Sequence, residues 1–124
     1  MIADELVYII DDDLIQNEIH TLLFQKLYPD VTLRTFTSAN EALQAIDAHE
    51  KPSIIFLDLH VPGEDETFFL DEHKNRAMDS EVYLMSSMSY IQDQSLMKIY
   101  PAVKDFISKP LLEHKLKPVL NHYA

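Results

Sequence analysis

The chain has 124 residues, the span of one domain, and 47% of them are hydrophobic, enough for a core without disulfide or metal staples. Ten Lys and Arg against 21 Asp and Glu give a net charge of -11, which repels phosphate backbones and anionic lipids, so no direct nucleic-acid and no membrane partner is expected. Lack of cysteine excludes a thiol nucleophile and a Cys-ligated metal, and the single glycine, Gly63, cannot write G-x-G-x-x-G or a Walker A loop.

The acidic start, Met1 to Glu5, lacks the basic region of a signal peptide, and no apolar run approaches the ~18 residues of a membrane span. The expectation is one soluble, cytoplasmic domain over residues 1–124. Leu6 to Ile10 is a nearly uninterrupted apolar run, the pattern of a strand covered on both faces. Ile15, Ile19, Leu22 and Leu23 then recur at helical spacing, after an Asp13/Gln16 start signal and before Pro29. Val31 to Phe36 carries Thr32, Arg34 and Thr35 and reads as an edge strand. Ser38 and Glu41 form a capping box for a helix with Ala39, Ala42, Leu43 and Ile46 inward, stopped before Pro52.

Ser53 to Leu57 is a second interior strand, followed by helical spacing at Phe69, Leu70 and His73. Val82 to Met85 is a third, followed by a helix through Ile91, Met97 and Ile99 with a Ser89/Gln92 capping box and a stop at Pro101. Val103 to Ile107 carries Lys104 and Asp105 and reads as the other edge. A last helix holds Leu112, Leu116, Val119 and Leu120, and Pro118 inside it predicts a bent or short helix. Strand and helix alternate throughout, which predicts an α/β domain: a five-stranded parallel sheet in the order 2-1-3-4-5, with five helices on both faces.

In such sheets the ligand site lies beyond the carboxyl ends of the strands, where strand order reverses. There the first strand ends in Asp11-Asp12-Asp13 and the third in Asp58. Like charges about 4 Å apart repel by about 4 kcal/mol at an effective dielectric of about 20, so the cluster requires a cation. Mg²⁺ suits an all-oxygen site, and Lys109, after the fifth strand, brings an ammonium to the same face. Ser86 ends the fourth strand with a hydroxyl able to donate to an anionic oxygen. A carboxylate beside a divalent metal can attack phosphorus, with the metal, Lys109 and Ser86 neutralising the transferring group.

These residues resemble the response-regulator receiver domain of two-component signalling. Leu6-Val-Tyr-Ile-Ile-Asp-Asp-Asp is similar to that family's first strand and acidic pair. Ile54-Ile-Phe-Leu-Asp58-Leu-His-Val-Pro-Gly63 is similar to its phosphoacceptor strand and Pro-Gly turn, Val82-Tyr-Leu-Met-Ser86-Ser87 to its hydroxyl-bearing strand end, and Asp105-Phe106-Ile-Ser-Lys109-Pro110 to its Lys-Pro ending. The resemblance implies that Asp58 accepts a phosphoryl group from a sensor histidine kinase, a phosphotransfer protein or a small acyl phosphate. It also implies that Mg²⁺ is held by Asp12, Asp58 and the His60 carbonyl, with Asp11 acting through water. Ser86 and Phe106 would form the switch toward an unidentified downstream protein, with a homodimer possible along the fourth helix, fifth strand and fifth helix. Lys109-Pro110 would be a cis peptide. The run Val61 to Glu66 departs from the family, which commonly has glycine where Glu66 stands, and His60 and Met88 occupy positions that tune hydrolysis of the acyl phosphate.

Simpler roles compete. Asp13 reads as a helix N-cap and is set aside from the metal set. Phe106 is as readily a packing residue as a switch. Tyr90, Met97 and Tyr100 read as core, with a partner-binding face as the minority reading. The six histidines show neither an i,i+4 pair nor H-E-x-x-H, so no zinc site is expected. Two other functions stay open: an Mg²⁺-dependent aspartyl-phosphatase-like enzyme, disfavoured by His60 where its second Asp would stand, and a phosphate-independent pseudo-receiver.

Overall fold

The computed structural model describes residues 5–59, 65, 67–86 and 94–121. Its elements alternate in chain order: β1 (Leu6–Ile10), α1 (Leu14–Leu27), β2 (Thr32–Phe36), α2 (Ala39–Asp47), β3 (Ile54–Asp58), α3 (Phe68–Asn75), β4 (Glu81–Ser86), α4 (Gln94–Ile99), β5 (Val103–Ser108) and α5 (Glu113–Leu120). All strand pairs are parallel, in the order β2-β1-β3-β4-β5, as the apolar central runs and polar edge runs require. Every residue of β3 is buried, whereas three of the five in β2 are exposed.

Because side chains alternate across a strand, the sheet divides the core in two. Tyr8, Ile10, Ile55, Leu57, Val82 and Leu84 face α2, α3 and α4, where they meet Ala42, Leu43, Phe69 and Leu70. Val7, Ile9, Ile54, Phe56, Met85 and Ile107 face the other way, toward Phe24 of α1 and Leu116, Val119 and Leu120 of α5. Met97 is half-buried and Tyr100 buried against the first cluster, so both serve the core, while Tyr90 lies outside the described residues.

β3, β4 and β5 each run one residue farther than their apolar stretches suggest, ending at Asp58, Ser86 and Ser108. Ladder hydrogen bonds do not require an apolar side chain, so the strands carry polar residues to the mouth of the sheet. The register then lines them up. Ile10 stands opposite Leu57, so Asp11 leaves the sheet beside Asp58; Asp58 stands opposite Met85, and Ser86 opposite Ser108.

α1 corrects the sequence reading. Ile15, Ile19 and Leu22, expected to face the sheet, are exposed, as is Leu14, and Leu23 is half-buried. Asn17, His20 and Phe24 face inward instead. Asp13 sets the start, its carboxylate accepting from the Ile15 and Gln16 amides. Asn17 sets the phase by donating from Nδ2 to the Asp11 carbonyl over 2.8 Å. Ser38 caps α2 through the Glu41 amide as expected. The Ser89/Gln92 signal and Ile91 lie outside the described residues. α5 is short, eight residues with Pro118 inside it. With glycine so scarce, α2 and α3 end on the left-handed non-glycine residues His49 and Ala77, where glycine is the usual choice.

Candidate functional site

The acidic mouth forms because β1 and β3 are register neighbours at the centre of the sheet. Asp11 is fully buried: its amide extends the β1–β2 ladder by donating to Phe36 O, and its Oδ1 accepts from the Asp13 amide at 3.0 Å. Asp58 is buried at the end of β3, and Asp12 is exposed at the rim. One carboxylate oxygen from each of Asp11, Asp12 and Asp58 lies within 4.8 Å of the others. At that spacing the two buried charges repel by about 3.5 kcal/mol at an effective dielectric of about 20.

Lys109 answers that repulsion. Its Nζ lies 2.8 Å from Asp11 Oδ2 and 3.0 Å from Asp58 Oδ2, bridging the two buried carboxylates. Burial by itself would pull the Lys109 pKa down, but the hydrogen bonds and charges of Asp11 and Asp58 outweigh it and hold the pKa above the ordinary lysine value. The ammonium is therefore fixed as a cation. Its backbone amide donates to Ser86 O over 2.8 Å, which ties the end of β5 to the end of β4, and Lys109-Pro110 is cis. Ser86 is buried at its strand end, one residue past the partner of Asp58.

Phe106 is half-buried on the edge strand, opposite Leu84, and packs on the α2–α4 side of the core. Asp13 is the α1 cap. His60, Gly63, Glu66 and Met88 lie outside the described residues.

Asn17 and His20 were not anticipated at the site. Asn17 holds the Asp11 carbonyl, and His20 is fully buried on the next turn of α1. Burial keeps the imidazole pKa below its usual value, against the opposing pull of Asp11. The available signal was a second periodicity, Asn17, His20 and Phe24, overshadowed by the more hydrophobic stripe beside it.

The donor set fits a hard divalent cation. It is all oxygen, carries three carboxylates against one ammonium, and one of its members opens to solvent. A carboxylate at the carboxyl end of a central strand, beside an ammonium and next to a strand that ends in a hydroxyl, is also arranged to attack an electrophilic phosphorus.

The response regulator receiver domain family matches residues 7–121. No curated protein matches the sequence. Among solved structures, a two-component response regulator from Cytophaga hutchinsonii is 28% identical, with a TM-score of 0.83 over 97% of this chain and 96% of that one. A CheY-like receiver domain from Methylobacillus flagellatus is 17% identical, with a TM-score of 0.79 over 97% and 98%. The response regulator TrrA from Thermotoga maritima, solved in complex with Mg²⁺-BeF, is 18% identical, with a TM-score of 0.73 over 97% and 99%.

Proposed function

The chain belongs to the response regulator receiver domain family, and from that premise we propose that Asp58 is its phosphoacceptor, charged by a phosphohistidine on a sensor kinase or phosphotransfer protein, or by a small acyl phosphate. The observation that carries this reading is the Lys109 ammonium, 3.0 Å from Asp58 Oδ2 and 2.8 Å from Asp11 Oδ2, in a cluster of three carboxylates.

An Asp58 carboxylate oxygen forms the new P–O bond as the bond from phosphorus to the donor nitrogen or acyl oxygen breaks. The leaving imidazole takes up a proton, and an ionised Asp58 needs no general base. Lys109 sits where it can turn from the carboxylates to an equatorial oxygen of the transferred group, and the Ser86 hydroxyl can donate to another. Asp11, Asp12 and Asp58, with the His60 carbonyl, would hold Mg²⁺, which supplies positive charge to the phosphoryl oxygens. Ser86 moving toward the new phosphate opens space into which Phe106 turns, and the altered surface around β5 is read by a downstream protein. The protein thus works as a cytoplasmic phosphorylation switch and not as a multiple-turnover phosphatase. Among the described residues no helix is long and apolar enough to cross a membrane.

The exposed face of α1 supports a protein donor. Leu14 and Ile15 follow directly on the acidic cluster, Ile19 and Leu22 continue the stripe, and Leu112 precedes α5 on the same side of the sheet. A donor that brings a phosphohistidine to Asp58 must cover the rim of the pocket, and the surface it meets there is apolar. Residues that would be core in a conventional helix are therefore available to a partner helix.

Incubation with Mg²⁺ and acetyl phosphate, followed by the intact mass, tests the assignment. The expected result is a gain of one phosphoryl group in the wild type and none in Asp58→Asn. A wild-type chain that stays unmodified with acetyl phosphate and with its kinase would overturn the reading, and sustained turnover of a phosphomonoester would replace it with the phosphatase.

A further inference from the structure

We infer that Lys115 is a positioning residue for Lys109, an inference that rests on the role proposed for Lys109 above. Lys115 lies in the first turn of α5, at the positive end of the helix dipole, where a cation is disfavoured. Its side chain is half-buried and turns back over the β5–α5 connection. There Nζ donates to Ser108 O at 2.9 Å, Ser108 Oγ at 3.0 Å and Pro110 O at 3.1 Å, the full donor capacity of an ammonium. These acceptors bracket Lys109 on both sides. Together with the Lys109 amide on Ser86 O, they hold the backbone before, at and after the residue whose ammonium must meet two buried carboxylates.

This arrangement breaks a local electrostatic rule, and the clamp supplies the compensating gain. Charge-assisted bonds to the carbonyls fix the point from which the flexible Lys109 stem departs. Without them the backbone between Ser108 and Leu111 is held, among the described residues, by the Lys109 amide on Ser86 O, and Nζ no longer has one defined position relative to Asp58. Lys115 touches neither carboxylate, so it acts only through Lys109.

The test compares Lys115→Met, which keeps most of the unbranched stem and the helix propensity of the side chain, with Lys115→Arg, whose guanidinium can still donate to the two carbonyls. Two readouts are taken at matched fraction folded: the rate of Asp58 phosphorylation by acetyl phosphate with Mg²⁺, and the ¹⁵N resonance of the Lys109 ammonium in the unphosphorylated protein. The expected result for Lys115→Met is a rate about tenfold lower, part of the roughly hundredfold that a 1 Å misplacement of a catalytic group can cost, with a shifted or exchange-broadened Lys109 signal. Lys115→Arg restores most of both. A purely structural role would lower the melting temperature of Lys115→Met and leave both readouts at their wild-type values, which would overturn the inference, as would a slower rate with an unchanged Lys109 resonance. A wild type that takes no phosphate while Lys115→Met still shifts the Lys109 signal would overturn the phosphoacceptor reading and leave the clamp standing.

Discussion

Replacing Lys109 by Met removes the cation that joins Asp11 and Asp58 while keeping most of the apolar stem. The Coulomb attractions lost, at 2.8 and 3.0 Å, are each about 6 kcal/mol at an effective dielectric of about 20. Lys109 no longer pays its own desolvation, a gain of several kcal/mol that cancels much of the loss. The Asp11–Asp58 repulsion, about 3.5 kcal/mol at 4.8 Å, is present in both proteins and cancels from the comparison, so the loss is the part of the lost attraction that the desolvation gain leaves uncancelled. The variant is therefore expected to lose about 3 to 4 kcal/mol, within the range for breaking a buried ion pair. For a domain of this size that is a fall of roughly 12 °C in melting temperature. Salt screens little of it, since the Lys109 side chain is only 13% exposed. Urea titration in EDTA, followed by far-ultraviolet circular dichroism, measures the loss. The Lys109→Met/Asp58→Asn double variant should recover at least half of it, because one of the two repelling charges is gone. Lys109→Met within 0.5 kcal/mol of wild type, or strictly additive single and double variants, would refute the electrostatic account of the site.

The same cluster predicts linkage to metal: Mg²⁺ at about 100 times its dissociation constant should stabilise the fold by about 2.7 kcal/mol, and Asp12→Ala should abolish the gain, so equal thermal shifts in the two proteins would defeat the prediction. His20 and His73 are both held by burial below the ordinary histidine pKa of 6.5, so the native state binds fewer protons than the unfolded chain below that pH. Their contribution to stability is complete above about pH 6.5 and is lost as the pH falls, by up to about 1.4 kcal/mol per pH unit for each. His20→Leu should lessen the acid sensitivity measured by denaturant titration between pH 7 and 5.5; an unchanged slope would contradict this. On the exposed stripe, Ile15→Asp and Ile19→Glu should leave the melting temperature within about 2 °C of wild type. Both should slow phosphorylation by the donor protein while sparing phosphorylation by acetyl phosphate, and equal effects on both donors would remove α1 from the docking face.

Much of this protein was legible in one dimension because its sheet is parallel. Strands covered on both faces must be apolar throughout, so Leu6 to Ile10, Ser53 to Leu57 and Val82 to Met85 announced the centre, and Thr32, Arg34, Lys104 and Asp105 marked the edges. Once that order is known, residues just past the apolar runs must share one end of the sheet, which brought Asp11, Asp12, Asp58, Ser86 and Lys109 together on paper.

Periodicity could not decide which side of α1 meets the sheet. Ile15, Ile19 and Leu22 offer the stronger apolar stripe, but a helix turns 100° per residue from a fixed start. The Asp13 cap and the bond from Asn17 to the Asp11 carbonyl fix that start so that Asn17, His20 and Phe24 point inward. Nor could spacing reveal Lys115, because its bonds reach seven residues back across a connection whose path depends on how α5 docks. Sequence by itself determined which segments become strands and which polar groups stand at their ends, since burial on two faces leaves little freedom of residue type. Only the tertiary structure decided the rotation of a helix and the target of a long charged side chain, because those depend on individual hydrogen bonds between parts of the chain that composition and period do not connect.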